Sequence, residues 1–254
     1  MSEREEKLAR SLTAETTELI PHLPYLLQDL WELGSSPEDM IALALEHTNI
    51  SRESKVLDLG CGKGAVSIGL AKSIGCKVKG IDILSQFIDY AKEKAMEYGV
   101  QHLCQFVVDD INESVRVEQG YDFVILGAVG DVLGNPLTTL LKLKSTIKQG
   151  GFIFLDDAYA NEGSDNPYPS RGDWLQYFNE ADLAVIAEKP IDDDELIAIN
   201  RRQQEQIVQR ARELMRKYPE KKEMFQGYIS SQQAECDELE SGLTGVTWLL
   251  QKTA

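Results

Sequence analysis

Val56-Leu57-Asp58-Leu59-Gly60-Cys61-Gly62-Lys63-Gly64-Ala65 is the stretch whose reading decides the fold. An apolar run interrupted by one carboxylate passes into three glycines at alternate positions. It then opens onto Val66, Ile68, Leu70 and Ile74, apolar at spacings a helix can bury on one side. The pattern predicts a strand over Lys55 to Leu59, a tight turn, and a helix from about Gly64 to Ile74, with Gly75 where a helix end favours glycine. Glycines in such a turn let the backbone approach a ligand and adopt dihedrals that other residues avoid. Taken alone, Gly60-x-Gly62-x-x-Ala65 also satisfies the dinucleotide fingerprint, in which a helix N-terminus meets a pyrophosphate. Asp58 argues otherwise. A carboxylate two residues before the first glycine, facing the ligand, repels a pyrophosphate and attracts an ammonium group.

Outward from this turn, short β-branched runs alternate with helical patterns, as in a parallel sheet covered on both faces. Val78 to Asp82 reads as the second strand, and Ser85 as the cap of a helix carrying Phe87, Ile88, Ala91 and Ala95 up to Gly99. Leu103 to Val108, Tyr121 to Leu126 and Phe152 to Leu155 are the next three strands. Between the last two, Asn135-Pro136 starts a helix with Leu137, Leu140, Leu141 and Ile147 that Gly150-Gly151 ends. Leu183 to Ala187 and Val246 to Leu250 read as two further strands. They are separated by a helical pair over 192–242 with a break at Pro219. Residues 1–54 are mainly helical, punctuated by Pro21, Pro24 and Pro37.

Composition bounds the function. The chain has 254 residues, 43% hydrophobic and 27% charged, which fits one domain with additions and excludes disorder. Twenty-six basic against 42 acidic residues give a formal charge of -16, which repels a polyanion and argues against nucleic-acid partners. No apolar run approaches the roughly 20 residues of a membrane span, so no membrane partner is expected. The charged opening Met1-Ser2-Glu3-Arg4-Glu5-Glu6 lacks the apolar segment of a secretory signal, which suggests a cytoplasmic protein. The four cysteines contain no CxxC and the three histidines are scattered, so neither a disulfide framework nor a metal site is expected.

Two more acids extend the glycine turn into a site. Asp82 closes the second strand about 20 residues past the turn, where an acid receives ribose hydroxyls. Asp110 closes the third strand in Phe106-Val107-Val108-Asp109-Asp110-Ile111, placed to accept from an exocyclic adenine amine, although a register error of one residue exchanges it with Asp109. Acceptors for ammonium, ribose and adenine together describe S-adenosylmethionine better than a nicotinamide. With these residues the sequence resembles the class I S-adenosylmethionine-dependent methyltransferases. It is similar to their Asp-x-Gly-x-Gly-x-Gly loop at Asp58, Gly60, Gly62 and Gly64, and to their strand-end acids at Asp82 and Asp110. Tyr121-Asp122-Phe123-Val124, Lys148-Gln149-Gly150-Gly151-Phe152 and the closing strand Gly245 to Gln251 extend the likeness, which covers roughly 50–188 and 244–252.

The resemblance implies a doubly wound seven-stranded α/β sheet, six strands parallel and the last reversed, with S-adenosylmethionine at the carboxyl ends. It implies cofactor contacts from Asp58, Gly60, Gly62, Gly64, Asp82, Ile83, Asp110, Ile111, Leu126 and Gly127. The whole chain is read as a single methyltransferase domain, with residues 1–50 as an N-terminal helical lid and 192–242 as a helical insertion. The expected partner is a small-molecule methyl acceptor, and the sequence is compatible with a homo-oligomer. Two rivals are a module that binds the cofactor without turnover and a protein-directed methyltransferase. Many small-molecule members carry a histidine after the fourth strand, where this chain reads Gly127-Ala128-Val129-Gly130-Asp131-Val132.

With no histidine there, acids at strand ends become the catalytic candidates. Alternation sends Asp156 and Asp157 to opposite faces, and Asp157, lying further along, is favoured as the base. Asp131 is the second candidate and Tyr159 a hydrogen-bonding neighbour. Cys61 is read as a packed residue, Asp192-Asp193-Asp194 as a helix cap, and Asn166-Pro167-Tyr168 as a turn. Among Tyr25, Trp31, Tyr159, Tyr168, Trp174 and Tyr177, a subset is expected to line a substrate pocket.

Overall fold

A computed structural model describes residues 3–161, 163 and 166–253, so Met1 and Ser2 of the acidic opening lie outside the described residues. The strands are β1 Lys55–Leu59, β2 Lys77–Asp82, β3 Cys104–Val108, β4 Tyr121–Gly127, β5 Ile147–Ala160, β6 Leu183–Pro190 and β7 Leu243–Lys252. The helices are α1 Glu3–Ser11, α2 Leu23–Leu26, α3 Pro37–His47, α4 Ala65–Ile74, α5 Ser85–Glu97, α6 Ile111–Val117, α7 Pro136–Thr146, α8 Arg171–Glu180, α9 Asp193–Lys217 and α10 Lys222–Ser241.

The chain divides into two compact units. The sheet unit is drawn from Glu32–Tyr159, Pro169–Pro190 and Gly245–Ala254, so the division falls inside the 1–50 segment and α3 goes with the sheet. The seven strands lie in the order β3-β2-β1-β4-β5-β7-β6. β1 pairs in parallel with β2 and β4, β2 with β3 and β4 with β5, while β7 runs antiparallel to β6. The chain reverses its winding between β1 and β4, and open sheets of this kind place ligands at that switch, beyond the carboxyl ends of the strands.

Register explains the near-continuous apolar strands. Leu57, Leu59, Val124, Leu126, Ile153 and Leu155 share one face and pack with Val115, Leu140, Leu143, Trp174 and Phe178. On the other face Phe123 stacks on Phe152 and Phe154, with centroids 5.2 and 6.2 Å apart. Trp174 belongs to the first core. It packs 5.1 Å from Trp248 and donates from Nε1 to the Ala158 carbonyl at 3.0 Å, so it is core rather than pocket lining.

The helical unit consists of Met1–Trp31, Ala160–Tyr168 and Ile191–Thr244. Ile207, Ala211 and Leu214 of α9 and Phe225 and Tyr228 of α10 are buried in it, as are Leu19, Leu23 and Leu26 of the opening segment. The His22 ring packs against Tyr218 and Phe225, and Arg210 grips the Asp29 carboxylate through Nε and Nη2 at 2.5 and 2.8 Å. Asp192 caps α9 by accepting from the amides of Asp194 and Glu195. Asn166 Oδ1 accepts from the Tyr168 amide in a local turn. Tyr25 and Tyr168 are exposed, Tyr25 donating to Glu213.

Three local expectations need correction. Ser85 does not cap α5: Leu84 stands at that position, and the Ser85 hydroxyl donates to the Gln86 side chain. The Phe87 and Ile88 amides that such a cap would satisfy reach the Leu84 carbonyl instead, and the Leu84 amide donates to Asp82 Oδ1. The helix opened by Asn135 ends at Thr146 rather than at Gly150-Gly151, because Ile147 is extended and already pairs with Tyr121. Gly150, at φ 73°, therefore sits inside a strand that runs on to Ala160, well past Leu155. Asn135 does cap α7 through the Thr138 amide at 2.9 Å. Asn135→Ala should cost about 0.5–2 kcal/mol, seen as a lower denaturant midpoint at unchanged slope.

Candidate active site

The glycine turn is built from backbone constraints before any ligand is considered. Gly60, Gly62 and Gly64 have φ of 73°, 52° and 82°, in the left-handed region that side chains avoid. Two amides, those of Gly60 and Cys61, donate to the Ile81 carbonyl at 2.8 and 3.0 Å, which ties the turn to the end of β2. The Gly62 amide donates to Asp82 Oδ2 at 2.9 Å, and the Leu84 amide to Asp82 Oδ1 at 2.9 Å. One carboxyl thus clamps the turn and the start of α5 together. Space is equally restrictive, since a Cβ on Gly64 would lie 2.9 Å from the Phe106 ring and 3.0 Å from Ala91.

Asp58 is buried rather than facing outward, and accepts from the Ser67 hydroxyl of α4 at 2.6 Å. Burial pushes its carboxyl up to about 6; the Ser67 bond opposes this and the nearby Asp82 adds to it. Burial likewise raises Asp82, against the amide bonds from Leu84, Gly62 and Ile83. Cys61 lies fully packed beneath the turn, its thiol held well above its ordinary value by burial, as an inert core residue is. Lys63 is also buried, its Nζ 5.1 Å from the Tyr90 ring centroid and 5.7 Å from that of Phe87.

At the end of β3 the two acids divide their tasks. Asp109 accepts from its neighbour's amide and from Ser114 Oγ. Asp110 caps α6, accepting from the Asn112 amide at 2.9 Å, with Ile111 opening the helix. Asp110 is the better covered of the two and Asp109 is exposed.

The carboxyl ends of β4 and β5 form the other wall. Gly127 is the register partner of Asp156, and the Ala128 amide donates to the Asp156 carbonyl at 3.0 Å. Ala128 has φ 50°, a strained value for a residue with a side chain. Val129 reaches over the turn: a Cβ on Gly60 would lie 2.7 Å from its Cγ2. Asp157 and Tyr159 share the opposite face of β5 from Asp156, as alternation requires. Asp157 is half-buried, accepts from the adjacent Ala158 amide at 2.8 Å, and is pushed up to about 6 by burial. Tyr159 packs 6.2 Å from Trp248, and Asp131 is exposed in the short 3₁₀ turn Gly130–Leu133.

The sequence reading missed a strap. Leu33, Gly34 and Ser35 cross the carboxyl edge of the sheet: Leu33 lies on Gly62, Gly34 on Ala128 and Ser35 on Gly127. A Cβ at Gly34 would lie 2.5 Å from that of Ala128, and its φ of 105° suits glycine alone. The available signal was Gly34-Ser35-Ser36-Pro37, a turn-rich joint between two helical patterns.

Comparison with known proteins agrees with this geometry. The family model described as "Methyltransferase domain" matches residues 50–233. The ubiquinone biosynthesis O-methyltransferase of Haemophilus ducreyi is 33% identical over 104 residues, which is 40% of this chain and 44% of that protein. The ribosomal protein L11 methyltransferase of Dictyoglomus thermophilum is 32% identical over 117 residues, 46% of this chain and 35% of that protein. The aligned region therefore spans less than half the length of these curated relatives. The crystal structure of an S-adenosylmethionine-dependent methyltransferase from Thiobacillus denitrificans, in complex with S-adenosylhomocysteine, superposes with a TM-score of 0.75. It shares 19% identity and covers 91% of this chain and 98% of that one. The chain belongs to the methyltransferase domain family, whose methyl donor is S-adenosylmethionine.

A buried carboxyl with a raised native pKa binds its proton more tightly folded than unfolded, so stability falls as pH rises from about 4 through the native value. Asp58→Asn keeps an acceptor for Ser67 and removes that titration. Its denaturant midpoint should exceed the wild type's near neutrality, and the decline between about pH 4 and about pH 6 should be shallower. An unchanged decline would show that Asp58 is charged at little cost in the fold.

Proposed function

We propose that this chain transfers the methyl group of S-adenosylmethionine to a small-molecule acceptor at the carboxyl edge of β1, β4 and β5. The observation that carries this reading is the strap, whose contacts with Gly62, Gly127 and Ala128 narrow that edge. A narrow opening suits a small acceptor better than a folded one. In this reading Asp58, Gly60, Gly62, Gly64, Asp82, Ile83, Asp110, Ile111, Leu126 and Gly127 hold the cofactor. Asp82 can take ribose hydroxyls on lone pairs left beside its amide bonds from Gly62, Leu84 and Ile83, because a carboxylate oxygen accepts more than one hydrogen bond.

When bound, the sulfonium supplies an electrophilic methyl group, and this chain's task is alignment, exclusion of water and removal of a proton where the acceptor carries one. Asp157 fits the last role: a half-buried carboxyl raised to about 6 takes a proton near neutrality, with Tyr159 on the same strand face as its hydrogen-bonding neighbour. Asp131, exposed beyond β4, is the alternative acid. The competing reading is a protein acceptor, favoured by the likeness to an L11 methyltransferase.

Calorimetry should detect S-adenosylhomocysteine binding and no binding of NAD; the reverse result would overturn the cofactor assignment. Asp82→Ala should weaken S-adenosylhomocysteine by about 1.5–3 kcal/mol, the worth of hydrogen bonds to a charged acceptor. With an acceptor found by labelled-methyl transfer into a metabolite extract, Asp157→Asn should lower kcat by about 10² to 10⁴ at nearly constant cofactor affinity. Label entering only protein would instead establish the competing reading.

A further inference from the structure

Asp156 is a carboxyl group that the chemistry above does not use, and its surroundings are unusual. It is 6% exposed, yet its Oδ2 has no hydrogen-bond partner, and Oδ1 has only the Thr247 hydroxyl of β7 at 3.3 Å. The Ser35 hydroxyl of the strap is likewise buried and unsatisfied. It lies over the Gly127–Asp156 register pair, 2.2 Å from where a Gly127 Cβ would stand, and interacts with the Asp156 carboxyl. Of the hydroxyls beside the Asp156 carboxyl, that of Ser35 favours its charged form most strongly, and two buried polar groups with so few other partners gain most by bonding to one another, because an unmade bond to a buried charge costs its full desolvation.

We infer that Asp156 is a positioning residue of the methyl-transfer site, holding the 33–35 strap across the carboxyl edge through Ser35 and thereby setting how long the cofactor stays bound. The placement of its atoms supports this. The Asp156 carbonyl receives the Ala128 amide, so the main chain of the residue fixes the loop after β4 while its side chain addresses the strap. Leu33, two residues before Ser35, rests on Gly62 of the glycine turn. The strap therefore reaches the turn through Leu33 and the Asp156 carboxyl through Ser35, while the Asp156 main chain holds the loop after β4. Neither Asp156 nor Ser35 is assigned a contact with the cofactor or the acceptor.

The titration of Asp156 makes the latch readable. Burial raises the carboxyl to about 7; the hydroxyls of Ser35 and Thr247 oppose this, and Asp157 on its own strand and Asp39 of α3 add to it. Asp39 is itself paired with Lys189 of β6. A carboxylate accepts from Ser35 more strongly than a neutral acid does, so the strap is held above about pH 7 and loosens as pH falls through that value.

This inference rests on the proposed cofactor site, and its test separates the two. Dissociation of S-adenosylhomocysteine from the full chain is followed by stopped-flow across about pH 5.5 to 8.5 in the wild type, Ser35→Ala, Asp156→Asn and Asp156→Leu. At high pH, Ser35→Ala and Asp156→Leu should each release the ligand about tenfold faster or more, and the double substitution no faster than Asp156→Leu alone. Asp156→Asn, which retains an acceptor, should restore part of the slow release and lose the pH dependence. If Asp156→Leu fails to fold, Ser35→Ala still decides: a wild-type release rate and pH profile in that variant overturns the latch, as does additivity in the double substitution. A wild-type chain that binds no S-adenosylhomocysteine overturns the cofactor site itself, and the latch with it.

Discussion

The hydrogen bond from the Gly62 amide to Asp82 Oδ2 is the constraint on which the rest of the site depends. It fixes a turn whose three left-handed glycines have no side chains to hold them, and it does so from the end of the neighbouring strand. The other oxygen of the same carboxyl binds the Leu84 amide, so turn and α5 are set against each other by a single group. The cost is a half-buried charge beside Asp58, which raises both carboxyls above their ordinary values, burial being the larger cause. A local instability of this kind is common at functional sites, where the arrangement serves a ligand better than it serves the fold.

The sheet unit surrounds this clamp with two further close approaches. Gly34 against Ala128, and Gly60 against Val129, leave no room for a side chain at either glycine. Both contacts involve the segment after β4, where Ala128 is itself held at positive φ. The carboxyl edge is thus shaped mainly by backbone proximity, and the carboxyls proposed for the chemistry, Asp157 and Asp131, are added from β5 and the turn after β4. Membership of the methyltransferase domain family fits this division of labour, because a sulfonium carries its own activation and asks the protein chiefly for alignment.

Much of this was legible in the sequence, for a physical reason. The alternation of β-branched runs with helical periodicity reports burial on both faces of a parallel sheet, and the reversed last strand was expected from the family resemblance rather than from that pattern. Asp82 was identifiable because it sits at a strand end at a set distance from the turn. Its amide bonds were not, since they arise from how the backbone closes rather than from residue type. The end of α7 was misplaced because Gly150-Gly151 resembles a helix stop, whereas Ile147 had already been drawn into β5 by pairing with Tyr121. Asp58 was legible as a site carboxylate from its offset, but its bond from Ser67 was not, because that hydroxyl comes from α4, nine residues on. The strap was hidden because its importance lies in contacts across the sequence, from 33–35 to Gly62, Gly127 and Ala128.

Amide hydrogen exchange at Gly62 and Leu84 in the ligand-free protein tests the central claim most directly. If the Asp82 clamp is formed in advance of binding, both amides should exchange far more slowly than an unstructured chain, and slow little further when S-adenosylhomocysteine is added. Exchange at free-chain rates, with protection appearing only on addition of the ligand, would show that the ligand builds the turn and would contradict the account.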